Sequence, residues 1–302
     1  MKGMYYNGFG AWCAAYAFLN TVNSTETAPG MYELLSGVPF GLKHSPNHKF
    51  KILTPFVEPC FRVEDTAELL GYRSEHWRFG NAQEAVQFMA DFRSGQRIMM
   101  GPIDMGWLEH IPQNMMYRGQ SHYIAIEKRS QDRYCVIDSE CVPGYDYTAE
   151  KLCGIISVDQ IPEAKGGINV WRFERMVNEP VKMERYRQII IEKAHQNLMR
   201  AEYEGQGSRA VLACHEFLAD KDIKEWSMVI YHEINYLIQR KELAVRYQTD
   251  LIEQELDILC EIRKDALLYK SMDYILFKRL ADCEHVLADK ISWWGGKYRW
   301  FQ

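Results

Sequence analysis

The 302-residue sequence contains no C-x-x-C pair, and its eight cysteines, at 13, 60, 135, 141, 153, 214, 260 and 283, follow no tight framework. Such spacing gives no zinc-ribbon or redox motif, and with no secretion signal in view the simplest state is reduced thiols, most of them small core residues. No apolar run approaches the roughly 20 residues of a helical membrane span. Lysine and arginine form no cluster or basic tail, and the net charge of −5 argues against a protein that neutralises nucleic-acid phosphates. The stretch Met1-Lys2-Gly3-Met4-Tyr5-Tyr6 has no apolar signal core, so the expectation is a cytoplasmic protein with neither membrane nor nucleic acid as partner. Metal is not expected. Pro46 separates His44 from His48, and His232-Glu233-Ile234-Asn235-Tyr236 puts Tyr236 where a zincin helix needs its second histidine.

Proline and glycine are unevenly spread. All ten prolines lie in residues 1–180, and no glycine occurs between Gly207 and Gly295. Before the break, short strand-like runs (Arg97–Met100, His122–Glu127, Tyr134–Ile137, Gly167–Phe173) alternate with loops and a few helices, which predicts a mixed α+β domain over 1–178. After it, apolar residues recur three and four apart, as in Tyr186, Ile189, Ile190 and Leu198 and again in Leu251, Leu256, Leu259, Ile262 and Leu267, which predicts an all-α domain over 179–302. No fixed-period repeat accompanies the helices. Trp226, Tyr231, Tyr236 and Tyr247 fit helix packing, and the last helix is expected to stop at Gly295-Gly296.

The most chemical feature is Cys13, in Asn7-Gly8-Phe9-Gly10-Ala11-Trp12-Cys13-Ala14-Ala15-Tyr16, where a glycine-rich turn meets an alanine-rich helical pattern. Unpaired N–H groups and the positive dipole end at a helix start favour thiolate over thiol. A thiolate attacking a carbonyl carbon also needs a base, an oxyanion donor and a group that fixes the base's tautomer. His122 opens one strand-like run and Asp138 closes the next, and the polar turn Lys128–Arg133 would bring those ends together in an antiparallel pair. The roles follow: Cys13 nucleophile, His122 base, Asp138 orienting carboxylate, Asn7 side-chain amide and Cys13 N–H as oxyanion donors. Each residue alone has a bland reading, as a small core thiol, a strand-start histidine or a turn-capping aspartate; their order and context together favour a cysteine enzyme.

The helix-opening cysteine, the Gly119-Gln120-Ser121-His122-Tyr123 strand start and the Ile137-Asp138 strand end resemble the papain-like fold of C39-type peptidases. Gly101-Pro102-Ile103-Asp104-Met105-Gly106-Trp107-Leu108, with Pro112 and His122 after it, and Ile156–Ala164 further on, resemble the N-terminal domain of the butirosin-biosynthesis BtrH family over roughly residues 5–175. That resemblance implies a papain-like catalytic domain followed by a helical one. It also implies an acyltransferase of antibiotic-type secondary metabolism. An acyl group would leave a phosphopantetheine thioester on an acyl or peptidyl carrier protein, reside on Cys13, and pass to a small-molecule amine with no resident cofactor. Cys13, His122 and Asp138 take the family's catalytic positions. Trp12 stands where the family pattern has a polar residue and is expected to wall the pocket, while Asp104 is expected to contact the acceptor amine or shape the cleft, or else to cap a turn. A cysteine peptidase or hydrolase using the same residues, and a non-catalytic binding protein, are the alternative functions. Arg185, Arg187, Lys193 and Arg200 suit either an acidic carrier surface or a solvated helix face.

Overall fold

A computed structural model describes residues 13–24, 27, 29–45, 52–57, 62–111, 114–119, 121–138, 144–155, 167–176, 183–245 and 250–298. In chain order these form α1 (Cys13–Val22), α2 (Pro29–Ser36), β1 (Leu42–His44), β2 (Leu53–Pro55), α3 (Val63–Leu69), β3 (Tyr72–Phe79) and α4 (Ala82–Ala90). Then come β4 (Arg97–Asp104), β5 (Ser121–Ser130), β6 (Arg133–Ile137), β7 (Tyr145–Thr148), α5 (Ala149–Ile155) and β8 (Ile168–Arg175). Helices α6 (Met183–Tyr203), α7 (Ser208–Ala219), α8 (Ile223–Val245), α9 (Asp250–Leu267) and α10 (Tyr274–Tyr298) complete the order. The protein is therefore a mixed α+β chain, and no helix among the described residues is long and apolar enough to cross a membrane.

The chain divides into two compact units. Of the described residues, those from 13 to 29 and from 63 to 176 belong to the first, and those from 30 to 62 and from 183 to 298 to the second. The division near residue 180 lies close to the composition break, but residues 30–62, which the sequence boundary assigns to the first region, fall in the helical unit. The reason is packing: Leu42, Ile52 and Leu53 of the β1–β2 hairpin share a core with α7, α8, α9 and α10, and Gly37 O accepts a bond from the buried Asn197 side chain at 2.8 Å.

In the first unit a six-stranded antiparallel sheet has the order β3-β8-β4-β5-β6-β7. Each predicted strand is present: Arg97–Met100 runs on to Asp104, His122–Glu127 widens to Ser121–Ser130, Tyr134–Ile137 gains Arg133, and Gly167–Phe173 becomes Ile168–Arg175; the expected β5–β6 turn shrinks to Gln131-Asp132 because Ser130 pairs with Arg133. Ile98, Met100, Ile124, Ile126, Val136, Ile168 and Val170 form the core with Ala85, Val86 and Met89 of α4 and Leu152 of α5. Helix α4 starts where it does because Asn81 accepts from Glu84 N at 2.9 Å while Glu84 reaches back to Gly80 N at 3.2 Å, a reciprocal cap. Helix α1 lies against β5 and β4, with Ala14, Ala15, Ala17, Phe18 and Leu19 all buried.

In the second unit the helices follow the predicted periodicity. Val211, Cys214 and Leu218, then Ile230, Ile234, Leu237 and Ile238, then Ile258, Leu259, Ile262 and Ala266, and Phe277, Leu280 and Ala281 form one core. Leu267, read as part of that stripe, is exposed, because Ala266 takes the core position at the end of the helix. Helix α10 runs through Gly295-Gly296 to Tyr298 rather than stopping there. Glycine ends a helix by adopting a left-handed φ, and neither residue does so; continuing through each costs only about 1 kcal/mol relative to alanine. Trp226 packs against this core, Tyr236 is exposed, and Tyr247 lies outside the described residues.

Candidate active site

Cys13 is the first residue of α1, so its sulfur lies at the end of the helix where backbone N–H groups have no helical partner. The small residues that follow it allow the close approach to β4 and β5. His122 is the second residue of β5 and Asp138 follows the last residue of β6. Because Ala125 pairs with Ile137, both side chains sit at the same end of this strand pair. His122 Nε2 donates to Asp138 Oδ2 at 2.8 Å, with side-chain exposures of 7% and 1%. A carboxylate only accepts, so Nε2 carries the hydrogen, and the Cys13 side chain lies near enough to the ring to act on its charge.

The electrostatics follow from this arrangement. Burial disfavours a charged imidazole, but the Asp138 carboxylate and the Cys13 sulfur outweigh it, and His122 titrates well above its ordinary 6.5. Burial alone would raise Asp138. The His122 charge and hydrogen bonds from His110 and His122 reverse that and hold its carboxyl far below the ordinary 3.8. The two shifts have one cause, since each group's charge favours the charged form of the other.

His110 was not legible as a site residue. It lies in the turn after β4, and its Nε2 donates to the same Asp138 Oδ2 at 3.1 Å while its Nδ1 meets the Tyr147 hydroxyl at 3.2 Å. The exposed Tyr145 ring stacks on it at 4.8 Å. Its place in the Gly101–Leu108 neighbourhood was the one available signal, but a contact across 28 positions has no local signature.

That neighbourhood has a structural explanation. A Cβ on Gly101 would overlap the Tyr123 ring, next to His122. Pro102 sits in the register shift between Met100 and Ile103, where a missing N–H costs no ladder bond. Asp104 is wholly buried, and its Oδ1 accepts from Gly106 N at 2.8 Å and Gly119 N at 3.0 Å, tying the turn after β4 to the turn that enters β5. A Cβ on Gly106 would lie 2.7 Å from Arg118 Cα. Of the readings open for Asp104, these bonds are those of a turn cap, and they steady the approach to His122. Asn7 and Trp12 lie outside the described residues.

No family model matches the chain. It is 21% identical over 178 residues to the uncharacterized protein YobF of Bacillus subtilis (strain 168), covering 57% of this chain and 56% of that protein. The chain thus spans little more than half the length of that relative, whose name states no activity.

Proposed function

We propose that this protein is a papain-like cysteine acyltransferase that moves an acyl group from a carrier-protein phosphopantetheine thioester, through Cys13, to an amine acceptor. One observation carries the reading: a buried imidazole donates to a buried carboxylate at 2.8 Å, and the side chain of a cysteine that opens a helix is near enough to that imidazole to favour its charged form. Core packing needs no such arrangement, and nucleophilic catalysis does.

In the proposed reaction the Cys13 thiolate attacks the thioester carbonyl carbon. The bond from that carbon to the pantetheine sulfur breaks, and the departing sulfur takes the proton of the His122 imidazolium. The amine nitrogen then attacks acyl-Cys13 and loses its proton to neutral His122. Collapse forms the amide and returns the thiolate–imidazolium pair. Asp138 stays ionised throughout and holds the ring with Nδ1 toward sulfur. Exchange of one thioester for another is nearly neutral in free energy, and amide formation drives the second half. Positioned base catalysis of this kind contributes about 10²–10⁴ in rate.

Intact-mass measurement after incubation with a panel of acyl-pantetheine thioesters tests the reading. The wild type should gain one acyl mass, Cys13→Ala should gain none, and an added amine should discharge the adduct as amide. An adduct of equal yield on Cys13→Ala, or none with any thioester, defeats the proposal. Discharge by water alone at saturating amine would make the protein a hydrolase.

A further inference from the structure

Asp138 Oδ2 receives two imidazole N–H groups, from His122 at 2.8 Å and from His110 at 3.1 Å. The proposed reaction uses only the first. The His110 side chain has no exposed surface, so it touches no substrate. It is nonetheless held closely: Leu108 and Ile111 on either side are buried in the sheet core, and Ile111 N bonds to Leu108 O at 2.9 Å. Because Asp138 only accepts, His110 carries hydrogen on Nε2, and the Tyr147 hydroxyl at 3.2 Å faces the remaining Nδ1. Tyr147 is itself buried in strand β7, with Lys151 Nζ 5.3 Å from its ring centroid and Glu109 paired to that lysine at 2.6 Å.

We propose that His110 is a positioning residue that holds Asp138 as an oriented carboxylate, and that the Tyr147 hydroxyl, bonded to the other ring nitrogen, fixes the orientation in which it can do so. A buried carboxylate facing an imidazolium is under pressure to take its partner's proton, because burial penalises the charge. The His110 N–H on the same oxygen that faces His122 relieves that pressure, so the proton stays on His122 and the imidazolium stays opposite Cys13. The line from Tyr147 through His110 and Asp138 to His122 is a chain in which each group orients the next, as outer-shell hydrogen bonds do at other reactive histidines.

The inference rests on Cys13 being the nucleophile of the proposed function, and the test separates the two. The measurement is the iodoacetamide alkylation rate of Cys13 at pH 6.5 relative to pH 10, followed by intact mass, with Cys13→Ala as blank. Wild-type Cys13 should outpace the other thiols at pH 6.5. His110→Phe keeps the bulk but removes the donor, so the ratio should fall about tenfold, the effect of losing a weak charge-assisted hydrogen bond. His110→Gln, which can present an amide N–H near the same point, should recover most of the ratio, and Tyr147→Phe should lower it by about two- to threefold. An unchanged ratio in a His110→Phe protein with a wild-type melting curve overturns the inference and leaves the proposed function standing. Should that variant not fold, an unchanged ratio in Tyr147→Phe overturns it instead. Wild-type Cys13 reacting no faster than the other thiols would overturn the proposed function itself, before any variant is made.

Discussion

Replacing Asp138 by asparagine keeps the shape of the side chain and removes its charge, and the consequence is set by two contacts. Asp138 Oδ2 lies 2.8 Å from His122 Nε2 and 3.1 Å from His110 Nε2, with almost no exposed surface on any of the three side chains. An opposite charge this close shifts an ionisable group by about 1–3 pH units. His122 stands well above 6.5 with the carboxylate present, so in Asp138→Asn its titration should drop by about that amount. Each unit corresponds to about 1.36 kcal/mol. The assay is the pH dependence of the His122 ring-proton NMR shift, assigned by its absence in His122→Gln. In parallel, alkylation of Cys13 at pH 6.5 should slow by about 10–1,000-fold. Stability should follow the same pair. His122 is raised when folded, so its contribution is complete below 6.5 and fades as pH rises through the folded value. Asp138 is depressed when folded, so its contribution is complete above 3.8 and is lost as pH falls. The stability gap between wild type and Asp138→Asn should therefore be widest between 3.8 and 6.5 and narrow on both sides. A His122 titration at the same pH in both proteins would falsify this account of the site.

In the helical unit, Lys241 Nζ lies 2.6 Å from Glu255 Oε2 and 2.7 Å from Glu284 Oε1, all three side chains buried. Lys241→Met should lower the unfolding free energy by about 3–5 kcal/mol by leaving two carboxylates facing each other, and adding Glu255→Gln and Glu284→Gln should recover part of it in denaturant melts. A single substitution that moves the midpoint by less than about 1 kcal/mol would show that the cluster is hydrated. Gly101→Ala forces a methyl group into the Tyr123 ring and should cost about 1–3 kcal/mol, with Cys13 alkylation slowed as β5 shifts; a neutral effect on both would mean the β4 bulge yields freely.

Much of the fold was written in local patterns. The strand-like runs around 97, 122, 134 and 167 and the long helical periodicity beyond 183 correspond to β4, β5, β6, β8 and α6–α10, because alternation and 3.6-residue spacing are properties of a segment and its immediate neighbours. The hydrogen bond between His122 and Asp138 could be anticipated for a similar reason: their strands are joined by a tight turn, so the ends of both are paired almost by construction. Residues 30–62 fall in the helical unit although a boundary at 178 groups them with the strands, because their apolar side chains show only that they need a core, and either core would satisfy them. Helix α10 runs past Gly295-Gly296 because a glycine pair permits a stop without requiring one.

The sequence by itself determined the α+β composition, the helical second half, and a cysteine at a helix start with a histidine and an aspartate on adjoining strands. Only the tertiary structure decided that one carboxylate oxygen serves two imidazoles, that Asp104 caps two turns, and that the β1–β2 hairpin belongs with the helices. The physical reason is range. Periodicity and capping act over a few residues and leave a mark on neighbours, whereas His110 reaches Asp138 only after the turn past β4 has folded over the end of β6. A contact of that kind depends on where whole elements pack, and no local pattern encodes it.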